Sequence, residues 1–192
     1  MKILYIAPNV SGLRNFFING NLVDEGMPSL AKPLSYLISK NHNVTILVYP
    51  HYSPTIKGHY LKIDNLTIKH LTIPDENIIF KIIRKITFNF INLFPVIETL
   101  SLVLQIVKIN KTLDYQLIYG HDNLGIIVAR ALSIIYRKSL ITRLYGVSFM
   151  RSANSKINTF YKIKYWFKYL PIKVKANLLL ITDDGSISEK EI

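Results

Sequence analysis

Short runs of consecutive apolar residues recur along the chain, separated by stretches where apolar residues return every three or four positions. A run of four to eight bounded by polar residues reads as a buried strand, and return at helical spacing reads as a helix with one face in a core. Lys2–Ala7, Val44–Tyr49, Tyr115–Tyr119, Leu140–Leu144 and Leu178–Thr182 are predicted strands. A helix is predicted over Ser29–Ile38, with Ser29 as its cap and Pro33 in a first turn where amide hydrogens lack partners. Further helices are predicted over 78–112, broken or kinked near Pro95, over Leu124–Arg137 and over Asn158–Leu170. Residues 8–28, rich in Asn and Gly, read as a long loop, and His59–Ile73 as edge strands around an Asp64-Asn65 turn. Strands separated by helices predict an α/β fold: a Rossmann-like, mostly parallel sheet with helices on both faces. Neither a repeat nor a linker divides the pattern, so residues 1–192 read as a single domain.

The pattern argues against a leader or a membrane span. The apolar run after Lys2 is too short for a signal peptide. In the greasiest stretch, Ile78–Ile109, the longest uncharged run is the 12 residues Ile86–Ile97, short of the roughly 17–25 that a spanning helix requires. The expected location is cytoplasmic, peripheral at the inner face of a membrane.

Composition narrows the classes further. At 49% hydrophobic, the 192 residues have what a packed core needs. No cysteine is present, which removes disulfides, thiolate metal sites and thiol nucleophiles. The net charge of +12 is uneven: the span Asn123–Thr182 holds eleven Lys and Arg and no acid. Such a surface attracts polyanions, whether nucleic acid, lipid headgroups or phosphorylated substrates.

Nucleotide-binding glycine motifs are missing. Gly12, Gly20 and Gly26 do not make G-x-G-x-x-G, and there is no G-x-x-x-x-G-K-[ST]. Candidate chemistry therefore lies in the loops after the strands. Glu25-Gly26-Met27-Pro28-Ser29 leads into a helix, as an ordinary capped turn or as a place where backbone and helix dipole meet an anion. Tyr119-Gly120-His121-Asp122-Asn123 joins a strand to a helix, with Gly120 for a sharp exit, His121 over the strand ends and Asp122 or Asn123 as a cap. Arg143 ends the next strand, as a phosphate or carboxylate ligand or as a structural ion-pair partner. Asp183 and Asp184 follow the last strand, as paired carboxylates or as turn chemistry. His51, His59 and His70 lack metal-ligand spacing, so neither a metal nor a cofactor is expected.

On a helical projection of Asn158–Leu170, Phe160, Ile163, Trp166, Phe167 and Leu170 share one face. Lys162, Lys164 and Lys168 lie opposite with three tyrosines. That suits a helix at a membrane interface and equally a domain helix with its apolar face in the core. Phe80–Phe94, with Lys81, Arg84 and Lys85, repeats the ambiguity.

Taken in order, these landmarks resemble a known family. Lys2–Pro8, then Gly26–Leu37 running into His42-Asn43-Val44-Thr45-Ile46-Leu47, is similar to the opening of family 4 glycosyltransferases of the GT-B fold. Ile118–Asp122, Ile141–Phe149 and Ala176–Gly185 fit later stretches of the same family. The resemblance implies one half of a two-lobed enzyme, the N-terminal acceptor-side lobe. It implies Gly26 and Met27 near the donor phosphates and His121 as a ligand of the transferred sugar. Met27 stands where the family often has a second glycine, and Asn41 replaces a glycine before His42. The donor-binding lobe has no counterpart, so a nucleotide-sugar would be held only if that lobe is supplied. The chain alone is expected to be inactive, because groups that stabilise the leaving phosphate are commonly the largest catalytic contribution.

The function expected is thus the N-terminal half of a glycosyltransferase acting on a lipid-linked or polysaccharide acceptor. The acceptor would approach a membrane-side face bearing Lys162, Lys164, Trp166 and Lys168, with Arg143, Asp183 and Asp184 at the cleft rim. The alternative is a non-catalytic membrane-anchoring subunit of a two-chain glycosyltransferase. Nucleic acid is not expected, because the basic residues are interleaved with apolar ones rather than forming a stripe.

Overall fold

The computed structural model describes residues 1–19, 28–50, 61–72, 94–110, 114–145 and 166–182. Within them run β1 (Lys2–Pro8), α1 (Ser11–Asn19), α2 (Pro28–Ser39), β2 (Asn43–Tyr49), β3 (Leu66–His70) and α3 (Phe94–Ile109). There follow β4 (Leu117–His121), α4 (Asp122–Tyr136), β5 (Ser139–Tyr145), a 3-10 turn (Trp166–Lys168), α5 (Leu170–Lys173) and β6 (Leu178–Thr182).

The six strands form one sheet in the order β3-β2-β1-β4-β5-β6, and every pairing is parallel. This is the doubly wound order, in which the chain works outward from β1 in one direction and then from β4 in the other. Strands buried on both faces need no polar alternation, and β1 shows this: Ile3, Leu4, Tyr5, Ile6 and Ala7 are all buried. Its odd residues join Leu13, Phe16 and Phe17 of α1 and Leu30, Ala31 and Leu34 of α2 in one core. Leu4 and Ile6 join Leu102, Val103 and Ile106 of α3 and Val128, Ala129 and Leu132 of α4 in a second core on the other face.

Several expectations change. The loop predicted over 8–28 holds helix α1, because Leu13, Phe16 and Phe17 recur at helical spacing and bury against α2. Pro33 is the sixth residue of α2, one turn later than expected, and Ser29 is inside the helix. Its missing N–H therefore removes the partner of an internal carbonyl rather than an already free end group. Pro95 is the second residue of α3, a position that suits a residue without an N–H, and the part of the expected tract before residue 94 lies outside the described residues. Where edge strands were expected around Asp64-Asn65, among the described residues only β3 after the turn is strand, and it pairs parallel to β2. Asn41 has φ 56°, a left-handed conformation, which accounts for a position where the resembling family has glycine.

The helix predicted over Asn158–Leu170 lies outside the described residues up to 165. At its described end there is one 3-10 turn and then α5, with Pro171 near the start of the latter. Proline lacks an N–H and restricts the residue before it, so regular helix does not run through this point. The helical tract before residue 94 also lies outside the described residues. Among the described residues no helix is long and apolar enough to cross a membrane.

Candidate functional site

Parallel pairing brings the carboxyl ends of β1, β4, β5 and β6 to one rim. The winding direction reverses between β1 and β4, which pair with Ile6 opposite Gly120. In open α/β sheets such a switch point leaves a crevice beyond the strand ends. His121 is the last residue of β4, directly at that crevice, and Arg143 is its register partner on β5.

The approach of α4 to the sheet sets this corner. A Cβ on Gly120 would lie 2.7 Å from Ala129 Cβ and 2.9 Å from the Gly125 carbonyl oxygen, so only glycine fits. Gly125 in turn lies close under the Tyr49 ring. Gly120 thus serves close packing, and the sharp exit expected of it belongs to Asp122, whose φ is 61°. Neither Asp122 nor Asn123 caps α4: His121 is the cap residue and makes no side-chain cap bond. The Tyr49 hydroxyl is inserted into the first turn, accepting from the Gly125 amide at 3.2 Å and donating to the His121 carbonyl at 3.3 Å.

The His121 side chain turns onto the α1/α2 face, where it is fully buried. Its Nε2 is hydrogen-bonded to the Tyr5 hydroxyl, and the same hydroxyl donates to the Leu30 carbonyl of α2 at 2.9 Å. Tyr5 and Tyr119 are stacked with centroids 4.8 Å apart, and each lies 4.9 Å from the His121 ring. Burial holds the His121 pKa well below its ordinary value, and the Arg143 charge adds to the effect. The ring is therefore neutral. Burial also raises the Tyr119 pKa, with Arg143 opposing. The Tyr119 hydroxyl is buried and has no partner of ordinary geometry among the described residues, while the Arg143 guanidinium lies near enough to favour its ionised form by charge and hydrogen bonding.

The structure thus brings His121 and Arg143 together at one corner. Gly26, Met27, Lys162, Lys164, Asp183 and Asp184 lie outside the described residues. Trp166 and Lys168 fall in the 3-10 turn, with Trp166 half-buried edge-to-face against Phe167 and Lys168 exposed. Among the described residues no group of His, Asp and Glu is arranged to hold a metal ion. Sequence reasoning missed Tyr5 and Tyr49, both read simply as apolar strand residues.

Two shallow depressions of about 250 and 270 Å3 open elsewhere, at the amino ends of the strands. One is lined by Lys2, Asn43, Thr45, Asp114 and Tyr115, the other by residues from Asn43 to Thr45 and Lys62 to Thr67. They lie at the opposite edge from the crevice, and the ion pair there between Lys2 and Asp114 is exposed. The rim remains the candidate site.

The fold has parallels among solved structures. Sucrose-phosphate synthase from Thermosynechococcus elongatus superimposes with a TM-score of 0.55 at 11% identity, over 95% of this chain and 43% of that one. The calicheamicin glycosyltransferase CalG4 gives 0.53 at 12% identity, over 94% and 47%. UGT89C1 of Arabidopsis thaliana, complexed with UDP, gives 0.51 at 12% identity, over 98% and 44%. This is the fold of one GT-B half. The chain spans less than half the length of each of these enzymes. Neither a known family profile nor a curated protein sequence matches it. At 12% identity or less the GT-B half is a statement about fold, and its chemistry has to be argued from the rim.

Proposed function

We propose that this chain is the N-terminal, acceptor-side lobe of a glycosyltransferase resembling family 4. It works with a second lobe that holds the nucleotide-sugar, and its acceptor is a lipid-linked saccharide or a polysaccharide. The observation that carries the reading is His121, placed by β4 at the switch-point crevice and held there by Tyr5 from the neighbouring strand. Supporting it, UGT89C1, solved with UDP and with UDP-L-rhamnose, shares the fold.

In such a transfer the bond from the sugar's anomeric carbon to the nucleotide phosphate breaks, and a bond to an acceptor hydroxyl forms. Stabilising the departing phosphate falls to the second lobe, so the lobe described here orients the acceptor and the sugar. Gly26 and Met27 would approach the donor phosphates, and Arg143 at the rim would meet an anionic group of the acceptor. Asp183 and Asp184 complete the rim in this reading. In this reading Lys162, Lys164, Trp166 and Lys168 would meet an anionic membrane. His121 would contact the transferred sugar, which requires its ring, fully buried here, to be uncovered on docking with the second lobe and substrate.

The test is a binding comparison by saturation-transfer NMR on the full chain. The probes are a short-chain polyprenyl-phosphate saccharide, a soluble oligosaccharide and UDP-glucose. Saturation of an acceptor probe is expected, with UDP-glucose at least tenfold weaker. Binding of UDP-glucose with neither acceptor overturns the acceptor-side assignment, and so does binding of none of the three.

A further inference from the structure

Tyr5 lies at the centre of β1, 116 positions from His121 in sequence. Its hydroxyl touches two polar groups at once, the Leu30 carbonyl at 2.9 Å and His121 Nε2. A phenolic hydroxyl has one proton to give, and a carbonyl has none. Both contacts are satisfied together in one way only: Tyr5 donates to Leu30, and the hydrogen between Tyr5 and His121 comes from the imidazole. Directing the Tyr5 proton at His121 instead would give up the contact that ties β1 to α2.

We infer that Tyr5 is a positioning residue: it holds His121 as the Nε2–H tautomer, so that Nδ1 acts only as a hydrogen-bond acceptor, and it links the first turn of α2 to the end of β4. The surroundings agree. The ring lies against Tyr5 and Tyr119, and Arg143 on the adjacent strand opposes a second proton. Leu30 is the third residue of α2 and comes three positions after Met27, so a displacement at the start of α2 is felt at the histidine.

The tautomer stands on geometry alone, whereas its consequence for a ligand rests on the glycosyltransferase reading. A lone pair at Nδ1 accepts from a sugar hydroxyl and repels phosphate or carboxylate oxygens. In that reading the Nδ1 side of His121 suits a sugar hydroxyl rather than an anionic group.

The experiment is long-range proton–nitrogen NMR on the full chain labelled with 15N-histidine, with His121→Gln to assign the His121 signals. In the wild type the ring proton is expected on Nε2, shifted downfield and slow to exchange. In Tyr5→Phe, which keeps the ring packing, that protected signal should be lost or moved upfield. A wild-type proton on Nδ1, or an unchanged signal in Tyr5→Phe, overturns the inference. Should Tyr5→Phe fail to fold, the wild type still decides, because the Nε2 proton must show a nuclear Overhauser contact to the Tyr5 ring and its absence overturns the assignment. If the tautomer is as stated but no acceptor probe binds, the functional reading fails and the positioning role of Tyr5 stands.

Discussion

A fully buried imidazole is an unusual residue to leave at the mouth of a crevice, and it makes the fold sensitive to acid. The folded chain holds His121 neutral, with its pKa well below 6.5, while the unfolded chain protonates it near that value. Below about pH 6.5 the unfolded state thus binds the additional proton, and stability falls as pH falls. The stabilisation is present above that pH and is lost progressively towards the lower, folded pKa. Urea unfolding of wild type and His121→Gln between pH 7.5 and 5 should show the wild type losing stability faster, by at most about 1.4 kcal/mol per pH unit. Equal slopes would mean that the ring takes up its proton while folded. His70 at the exposed end of β3, whose pKa partial desolvation also lowers, contributes in the same direction in both proteins. The position of His121 was legible from a strand, a glycine and a helix start in succession. Its partner was not, because a tyrosine within an apolar run reads as core and hydroxyl geometry leaves no periodic trace.

Among the elements, the legible ones were those whose pattern had only one solution. The five runs read as strands are all strands, because continuous apolar residues bounded by polar ones fit a sheet covered on both faces. Helix α1 escaped notice because barely one turn of spacing, Leu13 to Phe17, is embedded among Asn and Gly. The contact between β4 and α4 was legible only as a glycine. Its meaning is a helix pressed onto a strand, so Gly120→Ala should destabilise by about 1–3 kcal/mol in chemical denaturation. Adding Ala129→Gly should recover only part of the loss, because Gly125 O and Ile126 Cα still stand at 2.9 and 3.0 Å. Full recovery would put the whole conflict in the Ala129 methyl.

For the molecule as a whole, the sheet order and the charge matter most. The order puts β1 and β4 at the centre and the proposed site between them, with β3 and β6 at the edges. The charge of +12 does not decide the fold, but it sets how the chain meets anionic surfaces. If the basic face is turned to a membrane, the chain should float with vesicles containing phosphatidylserine. The bound fraction should fall steeply between 50 and 500 mM salt and drop when Lys162, Lys164 and Lys168 are changed together to Glu. Failure to float at low salt would remove the membrane from the proposed function and leave a soluble glycan as acceptor.

The central strand also raises a question of parity. Ile3 to Ala7 are buried on both sides of the sheet, so greasiness alone hardly distinguishes β1 from the same strand slid by one residue. Such a slide would exchange the two cores and carry the Tyr5 hydroxyl to the α3/α4 side, away from Leu30 and His121. An unpaired buried hydroxyl costs about 1–3 kcal/mol. The Tyr5 hydroxyl therefore adds its share to core shape in telling the middle strand which way to face, through the same contact that orients the histidine.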